Sequence, residues 1–247
     1  MGAVATYIGI LAVVSLPFWI GGFLFSTQIL PGLPVGSLIF TAPAISFFIL
    51  VWPRKRRDRV SIIRELLTIS GSRFPVVVLA ILALPICVIG AEIAKESQTS
   101  WLAWNISIVK TVIFSAVFAA AAFCEELGWT GVLGKNFVDK FGVVRGGVFV
   151  GAIWAIWHLV PFAQTGHGVF WILGQTIYTI ILRVIIFEFA FSAPNSMGLA
   201  ILVHGFSNVA WQLLPEPAIA YDPWMTSLWA GAFAILGYSV LRLGAKR

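Results

Sequence analysis

Charged side chains are scarce in this 247-residue chain: Asp, Glu, Lys and Arg together make up 11% of it, with only 10 acidic residues and 3 histidines. An ordinary globular protein carries about 25% charged residues. So thin a supply cannot cover a water-facing surface, and a soluble fold is excluded. Cysteine is nearly absent too. Cys87 and Cys124 both fall inside apolar stretches without CxxC spacing, so they read as small packing residues rather than as a disulfide framework or a thiolate metal site. The HExxH zinc signature is missing, as are the basic start and small-residue cleavage site of a secretory leader. No repeat, low-complexity stretch or linker divides the chain, and residues 1–247 are expected to form one integral membrane domain.

Apolar sequence is what the chain has in abundance. Hydrophobic residues make up 60% of it, and eight apolar segments can be drawn at roughly 5–25, 34–52, 74–94, 108–134, 146–164, 168–191, 196–214 and 224–242. Each is near the length that crosses a bilayer. Backbone amides in lipid must bond within their own segment, which makes these helices rather than strands. The expected fold class is therefore all-α, a polytopic membrane bundle of about eight transmembrane helices.

The net charge of +6 reads as topology and not as a nucleic-acid footprint, because the basic residues lie between and after the apolar runs. One loop is filled by Arg54, Lys55, Arg56, Arg57, Arg59, Arg64 and Arg73. The next loop on that side holds Lys135, Lys140 and Arg145, and the tail holds Arg242, Lys246 and Arg247, against only Lys95 opposite. That bias predicts both termini in the cytoplasm. Trp52, Trp101, Trp104 and Trp224 stand at span ends, where an amphipathic ring is stable. Ser61 to Ile69 spaces its apolar residues for a short amphipathic helix along the inner surface. Membrane lipid is thus an expected partner.

An ionisable group at bilayer depth is costly and needs a partner or a function. Glu92, Lys110 and Glu188 lie near span ends, where water is expected to reach them. Glu125, Glu126, His158, Arg183 and His204 lie deeper. Counted from the basic or polar residue at each cytoplasmic end, Glu125 is about 15 Å in, His158 roughly 20 Å and His204 about 14 Å. Asn208 follows one turn beyond His204 on the same face, and Trp154 stands one turn from His158. Three helices therefore bring polar groups to one level. Interhelical glue accounts for any one of them; catalysis, or a proton or ion pathway, accounts for the set. Because Glu125 and Glu126 are adjacent, only one can face the shared level, and the other is expected to turn elsewhere, with Arg183 or a backbone group as its partner.

Three short motifs carry a resemblance. Glu125-Glu126-Leu127-Gly128-Trp129-Thr130-Gly131 resembles the EExxxRG motif of the CPBP intramembrane proteases, which include the type II CAAX prenyl endopeptidases and the bacterial Abi proteins. Trp154 to His158 resembles the FxxxH motif of that family, and His204 to Asn208 resembles its HxxxN motif. They occur in the family's order, and the similarity covers roughly residues 100–215. Thr130 stands where the pattern has arginine, and Trp154 where it has phenylalanine. Losing that arginine removes a cation that could pair with a glutamate; Arg183, on the sixth span, is a candidate to supply it.

The resemblance implies an intramembrane endopeptidase of a bacterial or archaeal plasma membrane, acting on a membrane-associated peptide or protein that is prenylated in the CAAX case. It implies catalytic roles for Glu125, Glu126, His158, His204 and Asn208. Glu125 with His158 would hold and deprotonate a water, His204 and Asn208 would donate to the oxyanion, and Glu126 would orient its neighbours. Zinc is the cofactor these residues allow, with Glu125, His158 and His204 as ligands and one position open to water, although without HExxH nothing in the sequence requires it. The competing reading is a noncatalytic membrane protein that binds a peptide, with the polar cluster as glue. A small transporter is disfavoured by the lack of an inverted repeat.

Overall fold

Long apolar runs with no water for their amides coil into helices from one end of the chain to the other. The computed structural model describes residues 2–25, 28–30, 33–53, 56–69, 74–94, 107–192, 197–212, 214 and 221–244. Arg54, Lys55, Arg73, Lys95, Lys246 and Arg247, together with Trp101, Trp104 and Asn195, lie outside the described residues.

Helix α1 (Gly2–Leu24) leads through a small antiparallel pair, β1 (Gln28–Leu30) and β2 (Leu33–Pro34), and a 3-10 turn (Val35–Thr41) into α2 (Ala42–Val51). Then come α3 (Arg56–Leu66), α4 (Phe74–Ala94), α5 (Ile108–Gly128), a π-helical turn (Trp129–Gly134) and α6 (Lys135–Phe141). The chain closes with α7 (Val143–Gln164), α8 (Val169–Phe191), α9 (Gly198–Gln212) and α10 (Pro223–Gly244). The expected amphipathic segment is α3, whose Leu66 is buried and whose Ile62 and Ile63 pack on the core. Ser107 caps α5 by accepting from the Lys110 amide. Gly142, at φ +78°, turns the chain between α6 and α7, a conformation that suits glycine.

Helices α1, α2, α4, α5, α7, α8, α9 and α10 stand where the eight apolar segments were drawn. Five spans among the described residues are long and apolar enough to cross a membrane: α1, α4, α5 continued through α6, α7, and α8. Gly36–Val51 is a shorter apolar helix, and α9 has 15 residues. The fold is a polytopic helical bundle, built apolar on its outside as well as its inside. Val109, Val112, Phe170 and Leu228 all point outward, a surface that suits hydrocarbon and not water.

Helix α9 sits among α4, α5 and α8, while α7 lies along α8 and α1 rests on α2 and α7. The α7–α8 contact is backbone against backbone. A methyl on Gly147 would lie 2.9 Å from Val184 Cα, and one on Gly151 would lie 2.9 Å from Ile180 Cα and 3.1 Å from Arg183 Cβ. Spaced four apart, these glycines form the small-residue seam by which membrane helices approach closely. The seam also sets Arg183 against the middle of α7. Replacing Gly151 by alanine is expected to force the helices apart and cost about 1–3 kcal/mol. Thermal unfolding in detergent reads the loss; Gly9→Ala, whose methyl meets nothing within 4 Å, should not lower the midpoint.

Candidate active site

Helix α5 ends on two adjacent carboxylates, just where regular α geometry gives way to the π-helical turn. That turn is closed by the Lys135 amide donating to the Thr130 carbonyl, a five-residue step. Each carboxylate meets the residue four ahead of it: Trp129 Nε1 donates to Glu125 Oε2 at 3.2 Å, and Thr130 Oγ1 donates to Glu126 Oε2. Successive side chains diverge by about 100° around a helix, so the two acids address different neighbours.

Glu126 is 0% exposed and is held by charge. Arg183 Nη1, also on a fully buried side chain, donates to Oε1 at 2.9 Å and to Oε2 at 2.7 Å. His204 Nδ1 lies 2.7 Å from Oε1. A carboxylate only accepts, so Nδ1 carries the proton there and Nε2 is turned away from the pair. A lone buried charge is strongly disfavoured, whereas a paired and hydrogen-bonded one is tolerated. The carboxylate that turns aside is thus Glu126, and its partner is Arg183.

Glu125, 6% exposed, has a different setting. Trp154 Nε1 donates to its Oε2 at 2.9 Å, alongside the Trp129 indole. Two neutral N–H donors from α7 and the π-helical turn therefore hold one oxygen. His158, half-buried, donates from Nδ1 to the Trp154 carbonyl at 3.0 Å, which leaves Nε2 as the acceptor of a neutral ring. Phe162 stacks on that ring at 5.4 Å, and Trp157 meets it edge-on at 4.7 Å.

Trp154 is the centre of the arrangement. Its ring lies 4.0 Å from the Arg183 guanidinium, 5.0 Å from His204 and 5.3 Å from His158, while its N–H serves Glu125. Glu125, His158, Arg183 and His204 are therefore gathered about one indole, and Glu126 joins them through Arg183 and His204. Asn208, half-buried one turn along α9, makes no hydrogen bond to the cluster among the described residues.

Some expectations are corrected. His204 is bonded to Glu126 and does not join Glu125 and His158 in one ligand set. Among the described residues no three of His, Cys, Asp and Glu come close enough to share a metal ion. As arranged, Glu125, His158 and His204 do not fit zinc, and no step below is routed through it. Glu92 is 5% exposed and not open to water, because α4 is packed between α9 and α10.

Other contributors went unnoticed in the sequence. The spacing of Glu125 to Trp129 and of Glu126 to Thr130 is a readable signal, since residues four apart share a helix face. No comparable signal exists for α1. There Ser15 Oγ accepts from Trp157 Nε1 at 2.8 Å, and the buried Tyr7 hydroxyl abuts Gly128, where a methyl would overlap it.

Residues 97–210 match a protein-family model described as type II CAAX prenyl endopeptidase, Rce1-like. That stretch is thus similar to an Rce1-like domain. No curated protein matches the chain. The Rce1-like stretch takes in every polar residue gathered about Trp154 and ends two residues past Asn208, whereas Tyr7 and Ser15 lie outside it. With several apolar helices long enough to span, the Rce1-like domain makes this a multi-pass membrane protein. It supports intramembrane endopeptidase activity on a peptide or protein in a membrane setting. The tryptophan at 154 has its own test. Trp154→Phe keeps a ring against Arg183 but loses the donor to Glu125, and is expected to cost about 1–3 kcal/mol of stability, read as a lowered unfolding midpoint at unchanged expression.

Proposed function

We propose that the chain is an intramembrane endopeptidase in which Glu125 and His158 activate a water and His204 and Asn208 receive the oxyanion. The observation that carries this reading is the gathering of Glu125, His158 and His204 about Trp154 inside an Rce1-like domain. His158, its Nδ1 committed to the Trp154 carbonyl, offers Nε2 to a water hydrogen. Glu125 keeps Oε1 for the proton while two indoles hold Oε2. As the water oxygen bonds to the scissile carbon, the carbonyl pair moves onto oxygen. His204, in its imidazolium form, donates from Nε2, and the Asn208 amide donates beside it; one such donor is worth about 3 kcal/mol in other enzymes. Collapse breaks the C–N bond, and the proton on Glu125 passes to the leaving amine.

The substrate we propose is a prenylated or otherwise lipid-embedded peptide, entering from the inner leaflet of a bacterial or archaeal plasma membrane. The carboxylates lie at the end of α5 that runs on into Lys135 and Lys140, the cationic side of the bundle. Cations there suit anionic headgroups. A second reading, a noncatalytic peptide-binding protein, draws on Thr130 in the motif's arginine position.

Single replacements Glu125→Gln, His158→Ala and His204→Ala separate the two. Each is expected to lower cleavage of a quenched fluorescent farnesylated peptide by about 100-fold or more, at unchanged folded yield, with chelator leaving the wild-type rate unaltered. Tight binding of that peptide without cleavage by the wild type would establish the second reading instead.

A further inference from the structure

Arg183 stands on α8, outside all three motifs. We propose that Arg183 and Thr130 divide the work of a single motif arginine. Arg183 supplies the charge and Thr130 the short-range hydrogen bond, and together they fix Glu126 so that it aims His204. This deepens the proposed reaction and rests on that reading for its catalytic consequence.

Five observations carry it. Thr130 is fully buried and spends its hydroxyl on Glu126, so position 130 still addresses the same carboxylate without a charge. Arg183 Nη1 reaches both oxygens of Glu126 from α8. Its Cζ lies 4.0 Å over the Trp154 ring and 5.8 Å from that of Phe187 on its own helix, so aromatic faces help the carboxylate to hold the cation. The Gly151 seam admits the Arg183 stem, leaving 3.1 Å between its Cβ and the place a methyl would occupy. Glu126 Oε1, anchored in this way, fixes His204 through Nδ1 and leaves Nε2 turned from the pair.

Arg183 is a positioning residue: fully buried, it acts through Glu126. A wholly structural arginine would be irreplaceable where it stands. A positioning charge can be moved, provided it reaches Glu126 from another helix.

The test is a relocation. Arg183→Met alone is expected to lower kcat on the farnesylated peptide by about 100-fold, with KM changed by less than about threefold, as found when residues that orient catalytic groups are removed. Returning the charge at the motif position, in Arg183→Met/Thr130→Arg, should recover at least about tenfold of that loss. Wild-type kcat in the single variant, or no recovery in a folded double variant, overturns the proposal. A second pair of variants needs no activity. Arg183→Met leaves Glu126 buried without its cation, whereas Arg183→Met/Glu126→Gln removes both charges. The neutral pair should therefore unfold in detergent at a clearly higher temperature than the single variant; equal midpoints would show that Arg183 does not act through the charge of Glu126. If the wild type cleaves nothing, the endopeptidase reading fails on its own, and the unfolding comparison still decides whether Arg183 anchors Glu126.

Discussion

A fully buried carboxylate facing a fully buried guanidinium is the constraint around which this bundle is arranged. Neither Glu126 nor Arg183 has water to fall back on, so each depends on the other, and removing one partner of such a pair costs about 3–5 kcal/mol. The pair in turn dictates backbone geometry. Arg183 can reach Glu126 only if α8 lies close along α7, and α8 can do so only because Gly147 and Gly151 present no side chain to it. Glu126 then meets His204 across the α5–α9 contact. Close packing, charge pairing and imidazole orientation thus form one chain of dependence from α7 to α9.

Two carboxylates adjacent in sequence acquire unlike chemistry through their surroundings alone. Glu126 is met by a cation, an imidazole and a hydroxyl, which consume its acceptor capacity. Glu125 is met by two neutral indoles on a single oxygen. One acid is committed and the other is available. Trp154 enforces the separation, presenting its face to Arg183 and its N–H edge to Glu125. A phenylalanine in that place would supply the face without the edge, so the tryptophan there adds a function to the motif position.

Much of this was legible in the sequence, for physical reasons. The starved charge content and the apolar runs fixed a helical membrane bundle, because lipid allows the backbone few choices. Helical rise put Glu125, His158 and His204 at one expected level, and the structure gathers them about one side chain. The division of labour was less legible. Helical periodicity says that Glu125 and Glu126 diverge, but not which of them meets Arg183, because that depends on how α8 is rotated. Glu92 looked solvated by its position near a span end, yet helix packing covers it. The bond between Ser15 and Trp157 joins residues 142 apart in the chain, a distance over which no local periodicity operates.

The place of α1 bears on how portable this chemistry is. Tyr7 seals the end of α5 at Gly128, Ser15 steadies the indole of Trp157 beside His158, and the Trp19 carbonyl accepts from Gln164 at 2.6 Å. All three contacts come from a helix that precedes the Rce1-like stretch. A graft of residues 97–210 into another scaffold would carry the polar cluster but leave these three contacts behind, so a faithful transplant must bring the first helix with it.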